Sequence, residues 1–132
     1  AFGAMGRIAP SLVVQDAVVP RTKLPDVLDT IAAIGARHQV QVCNVFHAGD
    51  GNLHVNYLLE KAEQLPKLDI LMRSLAVEVK RAGGAMSGEH GLGRLKRKFA
   101  REVLPAQYFD MQRNIKTAFD PQMLFNPALE IA

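Results

Sequence analysis

Two apolar runs, Val40–Phe46 and Leu53–Leu59, are joined by only His47-Ala48-Gly49-Asp50-Gly51-Asn52, and no other stretch limits the fold so strongly. Runs rich in β-branched and aromatic residues read as strands, and so short a connection returns the chain antiparallel to itself. Asp50-Gly51 supplies a turn in which glycine accepts positive φ without steric cost. His47 then ends one strand and His54 begins its partner, so both imidazoles lie at the same end of a sheet.

The remaining elements are placed around that hairpin. Residues 1–10 are small and glycine-rich and read as an irregular opening segment. Ser11–Val19 is a β-branched run closed by Pro20, hence a strand. From Lys23 to His38, Leu24, Val27, Leu28, Ile31 and Ile34 recur at helical spacing, and Pro25 is tolerated in a first helical turn. A second helix covers Gln64–Arg81, with Leu68, Leu71, Met72, Leu75 and Val79 on one face and Gly83-Gly84 as its stop. Ala85–Ser87 is expected as a short fourth strand. The order β-α-β-β-α-β is the split pattern of a ferredoxin-like sandwich: an α+β fold with an antiparallel sheet and two helices on one face. Arg94–Arg101 and Pro105–Ala118 read as further helices, followed by an extended tail with turns at Asp120-Pro121 and Asn126-Pro127. A chain of 132 residues with neither repeat nor internal linker is expected to form one domain, residues 1–132.

Composition excludes several classes. A net charge of +3 is too small to point to nucleic acid, though it favours an anionic small molecule. The single cysteine, Cys43, forbids an internal disulfide and sits in an apolar run where core packing explains it. No apolar stretch approaches the roughly 18 residues that span a bilayer, and no signal peptide is visible.

The chemistry concentrates in two glycine-rich stretches, His47–His54 and Ser87-Gly88-Glu89-His90-Gly91-Leu92-Gly93, which hold three of the 4 histidines. Imidazole and carboxylate together are the usual ligands of zinc, manganese or iron. His47, His54 and Glu89 make a three-ligand set that leaves positions open, as a catalytic metal requires. Neighbours in an extended strand point to opposite faces, so Glu89 and His90 can share one pocket only where the backbone is irregular. Gly88 and Gly91 make such irregularity cheap. The expected division of labour is Glu89 on the metal and His90 free as proton acceptor. The competing reading of the hairpin is a plain turn with polar tips. Asp50 and Asn52 are expected as turn-formers, His38 as a favourable partner of a helix C-terminus, and Arg94, Lys96, Arg97 and Lys98 as a solvated helix face. The loop Gly88–Gly93 lacks the Lys-Ser/Thr ending of a P-loop.

HAGDGNLH, then SGEHGLG, then FDPQMLFNP, together with the opening GRIAP and VQDAVVPRTKLPDVL, closely resemble the C-terminal domain of the FAD-linked oxidases. That group contains glycolate oxidases, D-lactate dehydrogenases and D-2-hydroxyglutarate dehydrogenase, and the resemblance covers nearly the whole chain. It implies a cap over the flavin with a ferredoxin-like core, oxidising a 2-hydroxy acid to the 2-oxo acid with hydride transfer to FAD. It further implies metal ligation by His47, His54 and Glu89, proton abstraction by His90, substrate contact by Asn56 and cofactor contact by Asn126. Val55 departs from the glycolate oxidase branch, which usually has proline there, and Val13-Val14-Gln15 lacks a lysine found in the hydroxyglutarate branch. FAD is expected to be held mainly by an upstream domain of the same protein, leaving this chain inactive alone. The other expected partners are the substrate and an electron acceptor, in the cytoplasm or at the membrane surface through that acceptor. A non-catalytic metal-binding or regulatory domain and a metallohydrolase stay open as alternatives, and a flavin domain directly upstream would discriminate against both.

Overall fold

Buried along all 8 of its residues, Asn52–Leu59 (β3) is the strand around which the first part of the molecule is built. In the computed structural model, which describes residues 2–127, β3 pairs antiparallel with Ser11–Val18 (β1) on one side and with Gln41–His47 (β2) on the other, in the order β1-β3-β2. The register sets Asp16 opposite His54, Val45 opposite His54 from the other edge, and both Val18 and His47 opposite Asn52. The chain divides into two compact units, the first ending at His90 and the second beginning at Gly91.

Strand side chains alternate between faces, and the two faces of this sheet differ in chemistry. Leu53, Val55, Tyr57 and Leu59 meet the helices Leu24–Arg37 (α2) and Lys67–Arg81 (α3), whose Val27, Ile31, Leu71, Leu75 and Val79 are buried. Tyr57 anchors this face by donating its hydroxyl to the Leu71 carbonyl at 3.2 Å. The opposite face carries Asn52, His54, Asn56 and Leu58 along β3. At its far end Leu58 packs with Met5 and Ala9, and Leu12, Cys43 and Val45 lie against them. Cys43 is thus a packing residue, as its apolar surroundings predict.

Several boundaries differ from expectation. The opening segment contains a short helix, Phe2–Met5 (α1), rather than being irregular throughout. Burial of Met5, not helix propensity, holds so short a turn. α3 starts at Lys67 instead of Gln64, since the residues before Pro66 form a separate 3-10 turn, Ala62–Gln64, in which the Gln64 side chain accepts from the amides of Glu60 and Lys61. His38 caps the C-terminus of α2, where its own carbonyl accepts from Lys67 Nζ at 2.8 Å.

The expected fourth strand, Ala85–Ser87, is not formed. Only one bridge exists, Val18 with Ala85, closed by hydrogen bonds of 2.9 and 2.8 Å. The ladder stops after that one rung, and from Gly88 onward the backbone donors turn to the Asp16 side chain. The fold is α+β with a three-stranded antiparallel sheet, and the fourth position of the ferredoxin-like order is held by that bridge alone.

The second unit contains Gly93–Val103 (α4) and Ala106–Phe119 (α5). Within the basic run, Arg94, Arg97 and Lys98 are exposed, but Lys96 lies on the buried stripe with Phe99, Ala100 and Val103, so it is not part of a solvated face. The tail curls rather than extends: Asp120 pairs with Lys116 and accepts from the amides of Leu124 and Phe125, both at 2.9 Å. Asn126 follows with φ 48°, a left-handed conformation that asparagine tolerates. No helix among the described residues is long and apolar enough to cross a membrane.

Candidate functional site

The β2–β3 turn is built as its residues dictate. The Gly51 amide donates to the His47 carbonyl at 3.0 Å, and the Asn52 amide to Asp50 Oδ1 at 3.1 Å, so Asp50 acts as a turn-former. Gly51 is required twice over, by its φ of 78° and because a Cβ there would come within 2.0 Å of the Val19 carbonyl oxygen. The Val19 amide in turn donates to the Gly51 carbonyl at 3.0 Å, tying the turn to the end of β1.

This geometry brings the two hairpin histidines together on the face away from the helices. His47 lies opposite Asn52, one diagonal step from His54, and the rings meet edge to face with centroids 5.3 Å apart. His54 is buried while His47 is exposed, so one imidazole is fixed and the other is free to adjust.

The second glycine-rich stretch supplies the rest. Glu89 Oε1 lies 3.0 Å from His54 Nε2, and the His90 ring stacks on the His54 ring at 5.1 Å with its Nε2 3.6 Å from the same Glu89 oxygen. Glu89 and His90, adjacent in sequence, therefore both turn toward His54. Donor atoms of His47, His54 and Glu89 all fall within 4.8 Å of one another. A tetrahedral metal with bonds of about 2.1 Å needs donors about 3.4 Å apart. The His54–Glu89 distance of 3.0 Å is a few tenths of an ångström short of this, and the exposed side chains of His47 and Glu89 can adjust to meet it. The donor set therefore fits a divalent cation.

One residue of this arrangement is missing from the sequence-based reading. Asp16, buried in β1, accepts hydrogen bonds on Oδ2 from Ser87 Oγ (2.8 Å) and from the successive amides of Gly88 (2.8 Å), Glu89 (3.0 Å) and His90 (2.9 Å). Burial pushes its carboxyl up, but the hydrogen bonds from His90, Ser87, Glu89 and Gly88 outweigh it and hold the group below the ordinary carboxylate value. A signal was available: Gln15-Asp16 interrupts an otherwise apolar strand, and a charge placed there must find donors.

The polar atoms of β3 on this face are partly uncommitted. Asn52 Oδ1, His54 Nδ1 and Asn56 Oδ1 are buried with no protein hydrogen-bond partner, while Asn56 Nδ2 donates to the His54 carbonyl at 2.7 Å. Buried polar atoms of this kind are costly unless something meets them. The expected substrate residue Asn56 is thus two positions along the same face from His54 and completely buried. Asn126, the expected cofactor residue, belongs to the second unit and is exposed.

The family described as FAD linked oxidases, C-terminal domain, matches residues 1–129. The chain is 39% identical over 136 residues to glycolate oxidase subunit GlcD of Escherichia coli strain K12, covering 99% of this chain and 27% of that protein. It is 32% identical over 115 residues to a D-lactate dehydrogenase of Anaerostipes hadrus (85% of this chain, 24% of that protein). It is 35% identical over 85 residues to a D-2-hydroxyglutarate dehydrogenase of Xanthomonas citri pv. viticola (61% and 18%). The chain spans about a quarter of the length of these relatives, 27% at most.

Proposed function

Because the chain belongs to the FAD-linked oxidase C-terminal domain family, we propose that it is the substrate-facing part of a flavin-dependent oxidoreductase that converts a 2-hydroxy acid to the 2-oxo acid. The observation that carries this reading is the convergence of His47, His54 and Glu89, with His90 stacked beside them. The substrate class follows the names of the relatives, which act on glycolate, D-lactate and D-2-hydroxyglutarate.

His47, His54 and Glu89 would hold a divalent cation, which supplies Lewis acidity toward the substrate hydroxyl and carboxylate. His90 takes the hydroxyl proton at Nε2, the nitrogen on the side of Glu89, a transfer suited to imidazole near neutral pH. Asn56 holds the His54 backbone through Nδ2 and so bears on substrate through the placement of that imidazole. FAD, when bound, supplies the hydride acceptor. The loop Gly88–Gly93 does not fit its pyrophosphate, since the amides of Gly88, Glu89 and His90 are already committed to Asp16. FAD is therefore assigned to the part of the relatives that this chain does not span, with Asn126 as this chain's contact to it.

The test is anaerobic flavin reduction in the flavin-loaded protein, with glycolate, D-lactate and D-2-hydroxyglutarate offered in turn. One of them should bleach the flavin, and His90→Ala should slow the bleaching by about 10²–10⁴-fold. Chelation with verified metal loss should also slow it. Full rate after such loss would remove the metal from the reading, and no reduction by any 2-hydroxy acid would remove the substrate class.

A further inference from the structure

Glu89 and His90 pose a geometric problem that their own sequence does not solve. Adjacent residues on extended backbone diverge by roughly half a turn, yet Glu89 Oε1 lies 3.0 Å from His54 Nε2 and the His90 ring stacks on the same imidazole at 5.1 Å. The chain here curls around a single oxygen. Asp16 Oδ2 takes the amides of Gly88, Glu89 and His90 in succession, with the Ser87 hydroxyl as a further donor. Three consecutive N–H groups pointing at one anion form a concave nest, so the backbone here is not extended and the divergence of neighbouring side chains is lifted. The anion is internal, and its position is set by the sheet: Asp16 is the β1 residue paired with His54. The carboxylate that curls the loop and the imidazole that the loop must reach thus occupy the same rung of the ladder.

We propose that Asp16 is the positioning residue of the site, which turns Glu89 and His90 together onto His54 and so assembles the metal and proton-transfer groups. It touches neither substrate nor reacting atoms. The proposal rests on the metal reading given above for its first readout and is independent of it for its second. A carboxylate suits the task better than a neutral acceptor because charge-assisted hydrogen bonds to backbone amides are about twice as strong as neutral ones.

The experiment uses the flavin-loaded protein, stripped of metal by chelation and titrated calorimetrically with Zn²⁺ alone. Wild type is compared with Asp16→Ala, Asp16→Asn and Tyr57→Phe. Asp16→Ala should weaken zinc binding about 10–100-fold, the usual effect of removing a group that orients a ligand. Asp16→Asn should fall between it and wild type, because one amide oxygen can occupy the Oδ2 position without the charge. Tyr57→Phe removes a buried hydrogen bond on the helical face and should lower Tm without changing zinc affinity. Wild-type affinity in Asp16→Ala, or an equal loss in Tyr57→Phe, would overturn the proposal. Should Asp16→Ala not fold, an Asp16→Asn protein with wild-type affinity overturns it in the same way. Should wild type itself take up no zinc, the metal reading falls, and the crystal structure of the Asp16 variant decides: Glu89 and His90 displaced from His54 supports the positioning role, and an unchanged loop ends it.

Discussion

Gly88 rests on the side chain of Asn52: a Cβ at Gly88 would come within 2.5 Å of Asn52 Oδ1 and 2.7 Å of Val18 Cγ2. Asn52 is buried and cannot swing aside. Gly88→Ala should therefore lift the loop or cost about 1–3 kcal/mol of stability, as over-packing does. The urea midpoint measures the second outcome and zinc titration the first. A variant equal to wild type in both would show that the loop is not seated on Asn52.

Gly35 makes the opposite case within a helix. Intrinsic propensity favours alanine over glycine by about 1 kcal/mol. A Cβ at Gly35, however, would lie 2.4 Å from Val42 Cγ2 and 2.8 Å from the Val40 carbonyl oxygen, where α2 crosses β2. Gly35→Ala is expected to destabilise by a net ~1–3 kcal/mol despite its better propensity. A stabilised variant would mean that α2 can retreat from the sheet at no cost.

Burial holds the Tyr57 phenol well above its ordinary value of 10.0. The folded state keeps this proton while the unfolded chain releases it, so its contribution is complete below about pH 10 and falls by ~1.4 kcal/mol per pH unit above it. Urea midpoints measured from about pH 9 upward should drop more steeply for wild type than for Tyr57→Phe. Parallel curves would show that Tyr57 ionises in place.

Asn56 separates stability from function. Its Oδ1 is buried without a protein partner, a cost that an apolar side chain of similar size removes. Asn56→Leu also loses the Nδ2 bond to the His54 carbonyl, so the two effects oppose and stability should stay within about 1 kcal/mol of wild type by urea midpoint. Under the proposed reading it should also raise KM for the 2-hydroxy acid by about tenfold, equivalent to ~1.4 kcal/mol. An unchanged KM would confine Asn56 to structure.

The hairpin was legible because everything it needs is local. Strand-forming runs flank a turn whose Asp50 and Gly51 have few other uses, and the alternation of strand residues then carries His47 and His54 to one face. Glu89 and His90 could be named but not placed. Their orientation depends on Asp16, 73 and 74 positions earlier, through side chain to backbone bonds that leave no periodic trace. The fourth strand stops at the single Val18–Ala85 bridge, and the amides that follow it, from Gly88 to His90, go to a buried carboxylate rather than to a strand. Lys96 departs from expectation for a related reason: four basic residues in a run look solvated, and only the helix register shows that one of them falls on the stripe of Phe99, Ala100 and Val103.

The strand that carries His54 is hydrogen-bonded on both edges and buried throughout. Its amides exchange with solvent only when the sheet as a whole unfolds, because central strands sit at the top of the local-opening scale. Glu89 and His90 are held instead from a loop, by their amides on one carboxylate oxygen and by their contacts with His54. The site thus joins an imidazole anchored in the central strand to a pair of side chains held from a loop, so a local opening would part the two halves while leaving the sheet paired.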